Sequence, residues 1–323
     1  MSSVVNWGLI GGSNILEHAT GLALKETSNA KVYALATKRE ERHQKFRKIF
    51  GDYKEYNDYD MLLKDEKIDA VYISLPNSLH YEWTIKALHA GKHVLCEKPI
   101  SVTESKVVNM FSVARKTNCL LMEGFAFLHS PIMNVIKNIC SRLGSIHFIH
   151  AHFYDEGNIK DEKNATVRRH SYGGSVYDIG CYNSAFLQFL LEEEPDQILG
   201  HAHFTKFNID DFASFLFIYE SGVKASVESY IGCSQRDDSI TIFGNNGKLI
   251  IPLEYNFAGK SQLIFQNKDG ATEKIDVESP NNYRLEFEHF SDCILNGKTP
   301  DLTADFSIKQ ARTIDRMLKT INY

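Results

Sequence analysis

The first 125 residues alternate between short apolar runs and longer amphipathic stretches. Apolar runs of strand length occupy residues 4–10, 31–37, 69–75, 93–96 and 119–122. Between them, apolar side chains recur every three to four residues, which is the period of a helix. Apolar strands separated by helices are typical of a parallel sheet that is covered on both faces. The pattern therefore predicts an α/β fold with a doubly wound parallel sheet.

After about residue 125 the pattern changes to strands with mixed or alternating polarity. Strand-like segments occupy residues 145–154, 198–207, 212–219, 223–230, 239–243, 248–251 and 262–266. The connections Glu220–Gly222 and Asn245–Gly247 are hairpin signals. Helical patterns occupy residues 131–142, 182–191, 285–296 and 304–321. Because 323 residues are too many for one ordinary core, we predict two domains, 1–122 and 123–323, the second an α/β domain with a largely antiparallel, open-faced sheet.

Charge and cysteine content exclude several classes of protein. The net charge is -5, with basic and acidic residues interspersed, so no basic surface for nucleic acid or an anionic membrane is predicted. The six cysteines are scattered without a C-x-x-C pair, which favours free thiols in a reducing compartment. The first residues lack the features of a secretion signal. We expect a cytoplasmic protein without a metal site, since none of the 13 histidines forms a ligand pair of the H-E-x-x-H kind.

A glycine-containing turn follows the first predicted strand. Its residues are Gly11, Gly12, Ser13, Asn14 and Ile15. Glycines permit a tight turn and a close approach of the backbone to a pyrophosphate at a helix N-terminus. The match to G-x-G-x-x-G is incomplete, because Ser13 and Leu16 stand at the second and third glycine positions. The turn predicts a dinucleotide site in a Rossmann domain; a glycine turn without a ligand is the alternative.

The second predicted strand ends in Thr37, Lys38 and Arg39. An NAD site usually has an acidic residue here for the ribose diol, whereas a hydroxyl and basic side chains suit the 2′-phosphate of NADP. We therefore expect NADP, with NAD also possible. Solvated charges at the start of a helix are the alternative interpretation.

Glu97, Lys98 and Pro99 follow the strand-like segment 93–96. Open α/β sheets bind ligands at the carboxyl ends of their strands, and a proline fixes the backbone at that point. A lysine there can hydrogen-bond a reacting oxygen, and burial can lower its pKa toward catalytic use. A surface ion pair is the alternative.

Five blocks of sequence carry a more specific signal. They are Pro76–His80, Ala90–Pro99, Met122–Phe125, Gly173–Tyr182 and Tyr283–Phe290. In content and order they resemble the Gfo/Idh/MocA oxidoreductase family, and the resemblance covers nearly the whole chain. The residue four positions after Asp178 is a tyrosine, Tyr182. In this respect the chain resembles the branch of the family that contains glucose-fructose oxidoreductase, dihydrodiol dehydrogenase and xylose dehydrogenase.

The resemblance implies hydride transfer between a nicotinamide cofactor and a sugar, a sugar ketone or a related diol. Lys98 would contact the substrate oxygen and the cofactor ribose, Tyr182 would donate or accept the proton, and Asp178 would orient the reacting groups. The cofactor site would also include Leu75, Pro76, Asn77, His80, Glu97 and Tyr283. Taken without the resemblance, Asp178 is a charge near a helix N-terminus and Tyr182 a half-buried core aromatic.

Several positions depart from the family pattern near the expected substrate pocket. Leu128 replaces an arginine, Phe127 lacks a hydroxyl, and Tyr172 takes the place of a glycine. The basic run 168–170 suits either an anionic substrate group or a solvated loop. Two other functions remain open, a non-catalytic dinucleotide-binding sensor and an NAD-dependent glycosidase. We also expect the protein to form a homodimer or homotetramer through the open face of the second sheet.

Overall fold

The computed structural model describes residues 4–157, 159, 168, 170–252 and 254–323. The described residues form two compact units. The first contains residues up to 126 together with residues 281–308, and the second contains 127–280 and 309–323. The division into 1–122 and 123–323 stays a prediction, and it did not include the return of 281–308 to the first unit.

The sheet of the first unit is parallel and six-stranded. Its strands are β1 (Val5–Ile10), β2 (Ala30–Ala36), β3 (Lys54–Tyr56), β4 (Ala70–Ile73), β5 (His93–Glu97) and β6 (Leu121–Gly124). Their order is β3-β2-β1-β4-β5-β6, with parallel pairing throughout. This is the doubly wound order of a dinucleotide-binding domain, in which the carboxyl ends of β1 and β4 flank the switch point. The predicted fold of this half is confirmed.

The described helices connect and cover the two sheets. They are α1 (Gly21–Lys25), α2 (Glu40–Phe50), α3 (Tyr59–Leu63), α4 (Asn77–His89), α5 (Glu104–Lys116), α6 (Ile132–Cys140), α7 (Cys181–Leu191), α8 (Asn282–Asn296) and α9 (Ala304–Thr320). π-Helical turns at Leu16–Thr20 and Val176–Gly180 lead into α1 and α7. Within the described residues, no helix combines the length and the apolar character that crossing a membrane requires.

Helix α8 returns to the first unit because its apolar side covers β1. The rings of Trp7 and Phe287 meet edge to face with centroids 5.0 Å apart, and Phe290 lies 5.9 Å from Trp7. The indole Nε1 of Trp7 donates a hydrogen bond to the Ser291 hydroxyl at 3.1 Å. Both phenylalanines are fully buried, and each contributes about 1.5–3 kcal/mol by leaving water. These contacts fix α8 on the dinucleotide-binding sheet.

The second unit contains an eight-stranded sheet. Its strands are β7 (Ile146–Asp155), β8 (Gln197–Phe204), β9 (Asp210–Ile218), β10 (Lys224–Ile231), β11 (Asp237–Gly244), β12 (Gly247–Ile251), β13 (Gly259–Asn267) and β14 (Thr272–Ser279). The order is β14-β13-β12-β11-β7-β10-β9-β8, antiparallel except for the parallel pair β7 and β10. Residues alternate between buried and partly exposed along β9 and β10. The prediction of a largely antiparallel sheet is confirmed.

Candidate functional site

The predicted glycine turn lies between β1 and the first helix and leaves little room for side chains. Gly11 has a φ of +105°, and a Cβ on it would lie 3.1 Å from the carbonyl oxygen of Ser74. A Cβ on Gly12 would lie 2.8 Å from the Thr37 hydroxyl oxygen. The Ser13 hydroxyl accepts the backbone N–H of Leu16 at 3.3 Å, within the helical turn that begins at Asn14 and continues through Ile15. Both positions therefore require glycine, as is typical of a tight turn that precedes a pyrophosphate-binding helix N-terminus.

Two arginines from the segment after β2 brace this turn. The Arg39 guanidinium donates to the carbonyl oxygen of Gly12 at 2.5 Å, and that of Arg42 donates to Ser13 O at 2.6 Å. Arg42 also forms an ion pair with Glu17 at 2.7 Å. Arg42 was not among the predicted site residues, because in the sequence it is one charge of a charged helix. Arg39 thus supports the turn in addition to its predicted place in the cofactor site.

A cavity of about 340 Å³ opens beside the turn in the first unit. It is lined by Gly12, Ser13, Thr37, Lys38, Arg39, Tyr59, Ser74, Leu75, Pro76 and Leu79. Seven of these ten are predicted cofactor residues. Ser74 and Leu79 lie in segments that the sequence analysis singled out but were given no role there, and Tyr59 was not predicted because nothing in the sequence places it near the turn. The predicted residues Gly11, Asn14, Ile15, Asn77, His80, Glu97, Lys98 and Tyr283 are outside this lining.

The side chains at the carboxyl end of β2 fit a dinucleotide that carries a 2′-phosphate. Thr37 is buried and directs its hydroxyl toward Gly12, while Lys38 is exposed and holds its ammonium 5.6 Å from the centre of the Tyr59 ring. The lining contains two basic side chains and no carboxylate. A phosphate is favoured in such surroundings, whereas a ribose diol lacks its usual acidic acceptor.

The turn after β5 carries Lys98 and is held by buried side chains on two sides. The Lys98–Pro99 peptide is cis. The His80 ring reaches the carbonyl oxygens of Pro99 through Nδ1 at 2.8 Å and of Leu75 through Nε2 at 2.7 Å. His80 is fully buried, and burial lowers its pKa. His80 therefore connects the strand-end segments that follow β4 and β5.

Glu97 directs its carboxylate into the interior of the first unit. The Tyr72 hydroxyl donates a short hydrogen bond to Glu97 Oε1. Burial raises the pKa of Glu97, although Tyr72 and Lys98 lower it. Glu286 on α8 is a second buried carboxyl whose pKa is raised well above its usual value, by burial and by the charge of Glu97. Sequence reasoning missed Glu286 because it appeared only as one letter of the block that begins at Tyr283.

Asp178 and Tyr182 belong to the second unit and lie on consecutive helical segments. Asp178 is in the π-helical turn, with its backbone N–H bonded to Gly174 O at 2.8 Å, and Tyr182 is in the first turn of α7. The Asp178 carboxylate forms an ion pair with the Arg168 guanidinium. Both residues thus share one continuous helical element.

Aromatic rings fix the orientation of Tyr182. Its ring lies 5.2 Å from Tyr255, 5.6 Å from Phe153 and 5.7 Å from Phe127, measured between centroids. The Asn256 amide donates to the Tyr182 hydroxyl at 3.5 Å. The phenylalanine at 127, which departs from the family pattern, is therefore part of the wall that holds this tyrosine.

Asp210 anchors the start of the helical element that carries Asp178 and Tyr182. Its Oδ2 accepts the Ser175 hydroxyl at 2.8 Å and the Val176 backbone N–H at 2.7 Å. Burial raises the pKa of Asp210 to about 6. Asp210 was not predicted from the sequence, because it lies more than thirty residues from the helix that it holds.

Fold and site together define a nicotinamide dinucleotide-binding oxidoreductase with a Rossmann domain. The chain matches the model of an oxidoreductase family with an NAD-binding Rossmann fold over residues 5–125, and the model of the C-terminal domain of the same family over residues 140–250. It therefore belongs to the Gfo/Idh/MocA family, and the predictions of family, enzyme class and nicotinamide cofactor are confirmed.

Named relatives and solved structures agree with this assignment. The chain is 27% identical over 300 residues to D-xylose 1-dehydrogenase (NADP(+)) 2 of Haloferax volcanii, covering 91% of each chain. It is 26% identical to trans-1,2-dihydrobenzene-1,2-diol dehydrogenase of Xenopus laevis, covering 98% of this chain and 97% of that one. A crystal structure of the 3-ketoreductase KijD10 from Actinomadura kijaniata, in complex with NADP and TDP-benzene, superposes with a TM-score of 0.93 at 25% identity and covers 99% and 98% of the two chains.

Proposed function

We propose that this oxidoreductase transfers a hydride between NADP(H) and a carbohydrate-like substrate, with Lys98 and Tyr182 handling the proton. The observation that carries the proposal is the half-buried Lys98 at the carboxyl end of β5, on a turn tied through Pro99 to His80. Lysine at this edge of a parallel sheet is suited to hydrogen-bond the oxygen of a bound substrate.

The proposed roles divide between the two units. When bound, the nicotinamide accepts or supplies the hydride. Tyr182 donates or accepts the proton at the substrate oxygen, and the Lys98 ammonium favours the ionised form of the phenol electrostatically. Asp178 orients the substrate from the same helical element as Tyr182. Within this element, the contacts of Asp210 with Ser175 and Val176 support that geometry.

The NADP relatives and the basic side chains at the end of β2 support NADP as the cofactor. The Haloferax relative is named for NADP(+), and the actinomycete ketoreductase was crystallised with NADP. Structures of that ketoreductase also exist with substitutions at one lysine and one tyrosine, which are as far apart along that chain as Lys98 and Tyr182 are here. The names of these relatives support a sugar, a sugar ketone or a related diol as the substrate class.

The decisive experiment is a substrate panel followed at the absorbance band of reduced nicotinamide with both cofactors. We expect Lys98→Ala and Tyr182→Phe to lower kcat/KM by roughly 10²–10⁴-fold while NADP binding is retained. The exposed Lys116→Ala and the half-exposed Tyr33→Phe serve as matched controls that keep full activity. Full activity in either site variant would refute the assigned roles. Binding without turnover would favour a sensor, and release of an aglycone without net reduction would favour a glycosidase.

We further propose a homodimer or homotetramer that forms through the open face of the second sheet. Apolar side chains remain partly exposed on this face, including Phe148, Phe212, Leu216, Ile218 and Leu199, the last of which is 57% exposed. Contiguous apolar surface of this kind is typical of subunit interfaces. Light scattering after chromatography should show that Leu216→Glu lowers the mass, while Leu22→Glu, on the first unit, does not. A monomeric parent protein would refute this proposal.

The proposed location is the cytoplasm, in agreement with six free cysteines that form no disulfide.

A further inference from the structure

Glu123 is a buried carboxyl at the end of β6 to which the proposed reaction gives no role. Its side chain is 1% exposed, and it lies opposite Cys96 in the register between β5 and β6. Gly124 allows the two strands to meet closely at this point, because a Cβ on it would lie 3.2 Å from Cys96 O. A carboxyl is costly to bury, so its contacts indicate what holds it there.

Glu123 closes the turn that carries Lys98. Its Oε1 accepts the backbone N–H of Ile100 at 2.9 Å, two residues beyond Lys98. Between Lys98 and Ile100, the carbonyl oxygen of Pro99 bonds to the His80 ring at 2.8 Å. The backbone that follows Lys98 is therefore fixed by one side chain from β6 and one from α4.

Glu123 also contributes a charge that changes near neutral pH. Burial raises its pKa to about 7, while the Ile100 N–H, the Ser307 hydroxyl and the charge of Lys98 lower it. The second oxygen, Oε2, forms no well-aligned hydrogen bond among the described residues. The carboxylate and the Lys98 ammonium are therefore close enough for the protonation of one to affect the other.

Three other titratable groups lie near this pair among the described residues. Glu97 on β5 also faces Lys98, and the Tyr72 hydroxyl bonds to it. Burial and the positive charge of Lys98 both lower the pKa of His80 on α4. Cys96 on β5 faces Glu123, and burial raises the pKa of its thiol well above the usual value. Ser307 on α9 does not titrate.

We propose that Glu123 is a positioning residue for Lys98, which holds the Lys98 turn through the Ile100 N–H and places a carboxyl group near the ammonium. The inference depends on the proposed role of Lys98. Because an ionised carboxylate attracts an ammonium and a protonated carboxyl does not, we expect Glu123 to hold the Lys98 side chain in place most firmly when Glu123 is ionised.

Two substitutions separate the hydrogen bond from the charge. Glu123→Gln retains an oxygen that can accept the Ile100 N–H, but it cannot ionise. We expect its kcat/KM to equal that of the parent at pH 6, where Glu123 is mostly protonated, and to fall below it above pH 7.

Glu123→Leu removes both the acceptor and the charge. Because Ile100 N–H then has no partner and the turn is free to shift, we expect roughly tenfold or greater loss of kcat at every pH, with NADP binding retained. Glu66→Gln, which changes an exposed carboxylate in the same unit, serves as the control and should leave the profile unchanged.

The inference is overturned if the profiles of Glu123→Gln and the parent have the same shape, because a structural role alone would change thermal stability but give a ratio of rates independent of pH. Full activity in Glu123→Leu would also overturn it. If Lys98→Ala itself keeps full activity, the proposed function fails instead, so the two failures can be told apart.

Discussion

Replacing Gly174 with alanine should strongly destabilise the second unit. A Cβ on Gly174 would contact the Asp210 carboxylate, with its Cγ only 2.8 Å away. Asp210 has no exposed surface, and it is held by hydrogen bonds from Ser175 and Val176. Relief of the clash therefore requires movement of a packed side chain, at about 1–3 kcal/mol, and loss of a buried hydrogen bond, at about 1–3 kcal/mol. We expect the free energy of unfolding to fall by roughly 2–5 kcal/mol.

Urea and thermal unfolding of the variant and the parent measure this difference. A loss of this size corresponds to a decrease in Tm of roughly 4–20 °C, at about 2–4 °C per kcal/mol for a domain of this size. Gly180→Ala, in the same helical element, is the matched control. Its Cβ would lie 3.3 Å from Ser175 O and from Ser229 Oγ, a tight contact that a shift of a few tenths of an ångström relieves, so its loss of stability should be much smaller. A Gly174→Ala protein as stable as Gly180→Ala would show that Asp210 does not fix the helix in the way described.

Further changes test the cofactor site and the packing of the first unit. Lys38→Glu should weaken NADP binding more than NAD binding, because it places a carboxylate where a 2′-phosphate is expected; titrations with both dinucleotides check this, and equal losses would contradict it. Asp58→Ala should lower stability by about 1 kcal/mol, since Asp58 Oδ1 accepts the Met61 N–H at 2.9 Å at the start of α3, and an unchanged urea midpoint would exclude this cap. Trp7→Phe removes the hydrogen bond to Ser291 and leaves a void, so we expect a loss of roughly 2–4 kcal/mol in the same assay, whereas a loss below 1 kcal/mol would indicate that α8 is held elsewhere.

The sequence predicted those elements in which the spacing of apolar residues follows directly from which faces of the strand or helix are buried. Five of the six strands of the parallel sheet were predicted; β1 and β4, for example, are apolar along their length, as strands covered on both faces must be. Two edge strands were missed. They are β3, with the sequence KEY, and β14, with the sequence TEKIDVES. Polar or charged side chains dominate both, and most of them are partly or fully exposed, so their strand structure depends on a neighbouring strand that local sequence does not specify.

Site residues that belong to a local sequence motif could be predicted from the sequence. Site residues that come together from distant parts of the chain could not. The glycine turn and the Thr37–Arg39 segment line one cavity, since both follow strands of one parallel sheet. Asp210 and Glu286 were not predicted, because each acts on residues remote in sequence and neither belongs to a motif with an assigned role. Tertiary contacts of this kind leave no local signal.

The return of residues 281–308 to the first unit affects how the protein is made. The ribosome releases all of β1–β6 long before it reaches α8, so the side of the sheet that contains Trp7 stays uncovered while about 150 further residues are synthesised. The nucleotide-binding unit, although most of it precedes the second unit in the chain, is completed only after most of the second unit has been made. A fragment that ends at residue 126 therefore lacks part of its own core, and a usable isolated domain would have to be built by joining residues 1–126 to 281–308 through a short designed connection.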